Sequence, residues 1–223
     1  TEKNQSITPP PFVSLIPAVR ALCNLLKVSG TPGMIIGGVA ASLCGQARAT
    51  EDVDASVLLD ERLLNRFLEL AAAEGLRPRI PDAIAFAQRS AMLLLEHKPT
   101  SVGVDIAIGR LPFEREAIER AQSLIVEDLV IPVATPEDLV VMKAVAHRPQ
   151  DLQDIRVIIA ANPSLDFDHI RAQVREFAGV LEMPELWTDV AGLFPRSHRT
   201  AKSTRQKRTK KGEEPEFIKW SRI

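Results

Sequence analysis

What this chain has little of narrows the field first. It holds two cysteines in 223 residues, Cys23 and Cys44, both in apolar helical contexts and at no metal-ligand spacing. That argues against a disulfide framework and a cysteine-based zinc site, and two reduced core thiols are the simpler reading. No apolar run of membrane-spanning length escapes interruption by charge, so no transmembrane helix is expected. The opening TEKNQSITPPPF has no basic stretch leading into an apolar one, so no secretory leader is read there and a cytoplasmic location is the default. There is no internal repeat, and no Ser/His/Asp arrangement or Cys/His zinc spacing stands out.

What is present is an ordinary globular composition, 45% apolar and 26% charged, on a chain long enough to bury a sizeable core. The net charge of −1 conceals a division. Residues 1–195 carry a net −8 and residues 196–223 a net +7. The basic end, with RSHRTAKSTRQKRTKK at its centre, has almost nothing apolar to bury and is expected to be disordered alone. It either attracts nucleic-acid phosphates or serves only to solubilise.

Periodicity and turn residues divide the rest. Residues 1–12 read as a flexible start ending in Pro9-Pro10-Pro11, and a helix follows from about Val13 to Lys27, broken by Gly30-Thr31-Pro32-Gly33. Met34-Ile35-Ile36 is a short buried strand, followed by Gly37-Gly38 and a small helix through about Cys44. Residues 52–59 alternate as a strand, and 60–74 form an amphipathic helix with Asp60 as cap and Gly75 as stop. Residues 91–97 and 102–108 pair as strands, Pro112–Ala121 is helical, and 129–133 is a strand. Thr135 caps a helix that has Pro136 at its first position and runs to about His147, and Pro149 opens another through about Ala160. The fold class expected is α/β (α+β): a small mixed sheet flanked by helices over residues 13–134, a helical region over 135–195, and the tail 196–223.

Two carboxylates at the mouth of a hydrophobic strand are the feature that needs a reason. In TEDVDASVLL, Asp52 and Asp54 are two residues apart and share a face. Each disfavours the other's ionisation unless a positive charge lies between them, and Mg²⁺ or Mn²⁺ suits such oxygen donors. Alone, D-x-D is equally a solvated strand face. Two further features add weight. Gly37-Gly38, between a strand and a helix start, lets backbone N–H groups approach a phosphate chain. Asp105 interrupts the apolar strand GVDIAIG, where a lone carboxylate needs pairing or coordination. Placed beside residues 52–59, it would complete a three-carboxylate cluster suited to two-metal phosphoryl chemistry.

The run GGVAASLCGQARATEDVD, with VDIAIG later, resembles the nucleotidyltransferase superfamily that includes DNA polymerase β. The stretch ATPEDLVVMKAVAHRPQDLQDI resembles the AbiEii/AbiGii-type nucleotidyltransferases of toxin–antitoxin and phage-defence systems, and together the resemblance spans roughly residues 30–160. It implies that Asp52 and Asp54 ligate the metal ions carrying a nucleoside triphosphate, and that Asp105 holds a second metal and helps deprotonate the attacking hydroxyl. It also implies that Gly37 and Gly38 cradle the triphosphate. Relatives often have Ser where this chain has Gly38, so one hydroxyl contact would be missing. Arg48 is a phosphate-binding candidate, or else an ion-pair partner for an acid such as Glu51. Lys143, a single cation in DLVVMKAVAH, completes the nucleotide site with Asp151, or with Asp154 as the alternative. A structural ion pair between two helices is the competing reading, and His147 is taken as a bystander.

The activity implied is transfer of a nucleoside monophosphate from an NTP to a hydroxyl acceptor, with an RNA or tRNA 3′ end as one acceptor and a cognate antitoxin as one partner. A small-molecule nucleotidyltransferase of the antibiotic-modifying kind and a non-catalytic nucleotide-binding relative are the rival readings.

Overall fold

A computed structural model describes residues 13–45, 50–195 and 198; residues 1–12, expected to be a flexible start, Arg48 and nearly all of the basic tail lie outside the described residues. The first helix opens with a 3-10 turn at Val13–Leu15 and continues as α1, Ile16–Ser29, stopped by Gly30 at φ 65°. Strand β1, Gly33–Ile36, passes directly into α2, Gly37–Leu43. Strand β2 spans Val53–Val57. It is shorter than the alternation in the sequence suggests, with Asp54 opposite Ile36 and Val57 opposite Gly33 of β1. Asp52 therefore sits just ahead of the strand.

Asp60 accepts the Arg62 backbone N–H at the head of a 3-10 turn, and α3 follows over Leu64–Ala73. Strand β3 (Leu76–Pro78) and helix α4 (Ala83–Ser90) come next, neither expected, since RPRIPDAIAFAQ has no clear period. Strands β4 (Met92–His97) and β5 (Val102–Ile108) form an antiparallel hairpin. Helix α5, Pro112–Glu119, leads into a second hairpin of β6 (Gln122–Val126) and β7 (Leu129–Val133). Strand β6 was also unexpected. It is an edge strand with Ile125 74% exposed, so no buried alternation marks it.

The sheet is mixed, in the order β3-β4-β5-β2-β1-β7-β6. Its centre is parallel where β2 meets β5 and where β1 meets β7. Strands buried on both faces read as apolar runs, and β5 is such a run apart from Asp105. The later part of the chain is helical: α6 (Pro136–Ala146), α7 (Pro149–Ala161), α8 (Phe167–Val180) and α9 (Glu185–Leu193). Thr135 caps α6 by accepting the Asp138 N–H. Helix α6 packs on α2, α7, α8 and α9, and the buried apolar residues form one continuous cluster from Leu15 to Phe194. Leu22, Leu25, Leu64 and Phe67 lie fully inside it, each worth roughly 1.5–3 kcal/mol of burial. No described helix is long and apolar enough to cross a membrane.

Candidate active site

The sheet sets the site. Strands β2 and β5 run parallel with Asp54 directly in register with Asp105, so the two carboxylates are neighbours on one face. Asp52, two residues before Asp54, projects over Gly103, two residues before Asp105. A Cβ on Gly103 would collide with the Asp52 carboxylate and come within 2.9 Å of an Arg79 nitrogen, so glycine leaves room for both side chains. On the opposite flank, Gly37 stands at φ 63°, and a Cβ there would overlap the Asp54 carboxylate. A Cβ on Gly38 would fall 2.5 Å from the Thr50 hydroxyl. The Gly-Gly pair thus first serves to admit Asp54 and Thr50 against the turn, and the Gly38 N–H donates to the Asp54 carboxylate.

Asp52, Asp54 and Asp105 line one cleft together with Gly37, Gly38, Lys143, Arg148 and Asp151. Burial, reinforced by the charges of Asp105 and Asp52, pushes the Asp54 carboxyl up to about 7, against the pull of the Gly38 N–H and the Lys143 charge. Burial also raises Asp105, which Arg79 opposes and Asp52 reinforces. Arg79 was not anticipated. It follows β3, and its guanidinium pairs with the Asp105 carboxylate.

Lys143 is nearly buried, with Nζ 2.6 Å from Asp154 and 3.4 Å from Asp151. Its closer partner is Asp154, the alternative in the sequence reading. Asp151 is also held by Arg148, whose Nε lies 2.6 Å away and whose backbone N–H donates at 3.2 Å. Asp151 thereby caps α7 while facing the cleft. Arg148 too was missed, although HRPQD places it immediately before a helix-opening proline. His147 lies 3.0 Å from Asp189 on α9 and does not line the cleft. The two thiols are partly buried, and burial raises each to about 11, which makes them poor nucleophiles at neutral pH.

Among the described residues no group of three or more acidic, His or Cys side chains is close enough together to hold a metal ion. Asp105 is engaged by Arg79. Yet the donor chemistry fits a hard divalent cation. Asp52 and Asp54 supply carboxylate oxygens on one face, and the burial and neighbouring negative charge that lift Asp54 to about 7 are what such a cation would offset.

A family model described as "Nucleotidyl transferase AbiEii toxin, Type IV TA system" matches residues 21–218. Among solved structures, the chain is similar to an antigenic nucleotidyltransferase-like protein from Paracoccidioides brasiliensis, with 17% identity and a TM-score of 0.50 over 80% of this chain and 93% of that one. It is also similar to the antibiotic-resistance factor ANT(2'')-Ia, with 13% identity and a TM-score of 0.53 over 78% and 96% of the two chains. At these identities the likeness is one of fold. Among curated proteins nothing matches the chain.

Proposed function

The chain belongs to the AbiEii nucleotidyltransferase toxin family, and from that premise we propose that it transfers a nucleoside monophosphate from an NTP to a hydroxyl on an RNA 3′ end, such as that of tRNA. The observation that carries this reading is the register of Asp54 against Asp105, with Asp52 over the same face and Lys143 across the cleft.

In the proposed reaction, Asp105 accepts the proton of the attacking hydroxyl. The acceptor oxygen forms a bond to the α-phosphorus, the bridging bond between the α- and β-phosphates breaks, and pyrophosphate departs. Asp52 and Asp54 would hold Mg²⁺ or Mn²⁺, with Asp105 as a third donor. When bound, the cation supplies charge neutralisation for the triphosphate and for the oxygens that enter and leave. Lys143 and Arg148 bring positive charge to the opposite wall, where Asp151 and Asp154 orient them towards the phosphates. Gly37 and Gly38 allow close approach of the backbone. The basic residues 196–223 draw in the RNA backbone that the acidic body would repel. An antitoxin is the expected partner of a protein from this family.

Incubation with labelled NTPs, Mg²⁺ and total RNA tests the proposal. Labelled RNA is the expected result. Label on small molecules alone, or no transfer, would refute it. Removing 199–223 should weaken RNA labelling most at low salt, and the deficit should shrink as salt rises. Unchanged labelling at physiological ionic strength would remove the tail from the mechanism.

A further inference from the structure

The cleft is asymmetric about its carboxylates. The sheet order places β1 and β7 on one side of β2, and β5, β4 and β3 on the other. Gly37-Gly38 follow β1, and α6 with Lys143 follows β7, so the phosphate-directed groups share one side. Asp105 lies on the other side, and Arg79 lies beyond it across β4. The Arg79 backbone N–H donates to the Leu94 carbonyl at 2.9 Å, Leu94 is the register partner of Asp105, and the Arg79 side chain reaches across to the Asp105 carboxylate. Another Arg79 nitrogen points towards the space over Gly103 that Asp52 also occupies. The pair is not sealed: the Arg79 side chain is 31% exposed and that of Asp105 is 15% exposed.

In-line displacement sets the nucleophile opposite the leaving pyrophosphate. With the triphosphate on the β1 and α6 side, the acceptor reaches Asp105 past Arg79. We propose that Arg79 is the acceptor-side anion receptor, and that its guanidinium holds Asp105 until an acceptor phosphate draws it away. This rests on the nucleotidyl-transfer reading above. A guanidinium forks onto carboxylate and phosphate with the same geometry, so exchanging one for the other requires only a modest swing of an already half-exposed side chain. While paired, the Asp105 carboxylate is occupied by the guanidinium. Water carries no phosphate to release it, so attack of water on the α-phosphorus, which would yield NMP and pyrophosphate and leave a proton on Asp105, is suppressed until an anionic acceptor arrives. A polycationic small-molecule acceptor would meet a like charge at this position.

The test compares full-length wild type with Arg79→Gln, Arg79→Lys and Arg79→Ala. Three quantities are read: transfer to RNA, NMP release from NTP without RNA, and anisotropy of a short labelled single-stranded RNA. For Arg79→Ala and Arg79→Gln the expected result is a rise of about tenfold in the KM for RNA, with the KM for NTP unchanged. Acceptor-free hydrolysis should increase. The log–log salt slope of RNA binding should shrink by about 0.7, one phosphate contact on a single strand. Arg79→Lys should recover much of the RNA affinity. An unchanged NTP KM certifies that a variant is folded; Arg79→Gln, which can still hydrogen-bond Asp105, covers the case in which Arg79→Ala is unstable. If wild type labels RNA but the variants keep its RNA KM, salt slope and hydrolysis rate, this inference fails and the transfer reading stands. If wild type labels only a small cationic acceptor, or nothing, both fail.

Discussion

Two acidic clusters in this protein are built on opposite terms. Asp138, fully buried in the first turn of α6, is enclosed by partners: Arg120 at 2.9 and 3.1 Å, the Thr135 hydroxyl at 2.9 Å and His169 at 3.1 Å. Asp54, on β2, has a backbone N–H from Gly38 and two more carboxylates as neighbours, and burial with their charge lifts it to about 7. Both positions remove a carboxylate from water. One is compensated within the fold, and the other is offset only in part, by the Gly38 N–H and the Lys143 charge. A buried acid with a complete set of partners reads as architecture, and a buried acid among like charges beside an open cleft reads as a site.

The contrast can be broken most directly at Asp54. Asp54→Asn should lower nucleotidyl transfer by at least about a thousandfold while leaving the fold intact. Activity within a few-fold of wild type would place the two clusters in the same class. Next in size is Asp138→Ala, expected to cost about 3 kcal/mol in denaturant unfolding, because it strands Arg120 and His169. The low end of the range applies, since the Arg120 side chain is 35% exposed. Transfer per folded molecule should stay near wild type, and a loss as deep as that of Asp54→Asn would erase the distinction.

Lys143 tests the boundary between the clusters. Lys143→Met leaves Asp154 and Asp151 short of a counter-charge, so stability and NTP affinity should both fall. In the double variant Lys143→Met/Asp154→Asn, stability should return by at least about 1 kcal/mol without return of NTP affinity. Joint recovery would make Lys143 purely structural.

The smallest effect sharpens the comparison without any transfer assay. The Asp54 carboxyl is raised in the fold, so the folded chain keeps a proton that the unfolded chain has released between the ordinary carboxylate range and about 7. Stability from this group is present at low pH and falls as pH climbs through that window. A divalent cation held at Asp54 would bind the ionised form, and Mg²⁺ is the cation to test. It should therefore raise the melting temperature by a few degrees at about pH 8, less at about pH 5, and not at all in Asp54→Asn. An equal shift in that variant would locate the cation elsewhere.

The readable parts of the site were those with a local cause. Alternation put Asp52 and Asp54 on one face, the lone acid in GVDIAIG marked Asp105 as out of place, and Asp60 and Thr135 cap where their residue types predict. Arg79 left no such trace, because it follows a three-residue strand in a proline-rich turn and acquires meaning only by reaching across β4. Arg148 left a partial trace, since Pro149 marks where α7 begins and so sets it against Asp151, but only the fold turns both towards the cleft. The choice between Asp151 and Asp154 as the nearer partner of Lys143 turned on the angle between α6 and α7, to which spacing along the chain is blind.

By itself, then, the order of residues determined that Asp52 and Asp54 share a face, that Asp105 stands alone in an apolar run, and where the caps fall, because each depends on steric and electrostatic relations within a few residues. The tertiary structure alone decided that Asp54 stands in register with Asp105, that Arg79 pairs with the second of these acids, and that Lys143 leans on Asp154. These depend on strand order and helix crossing, which arise from packing the whole core at once and are written in no single segment.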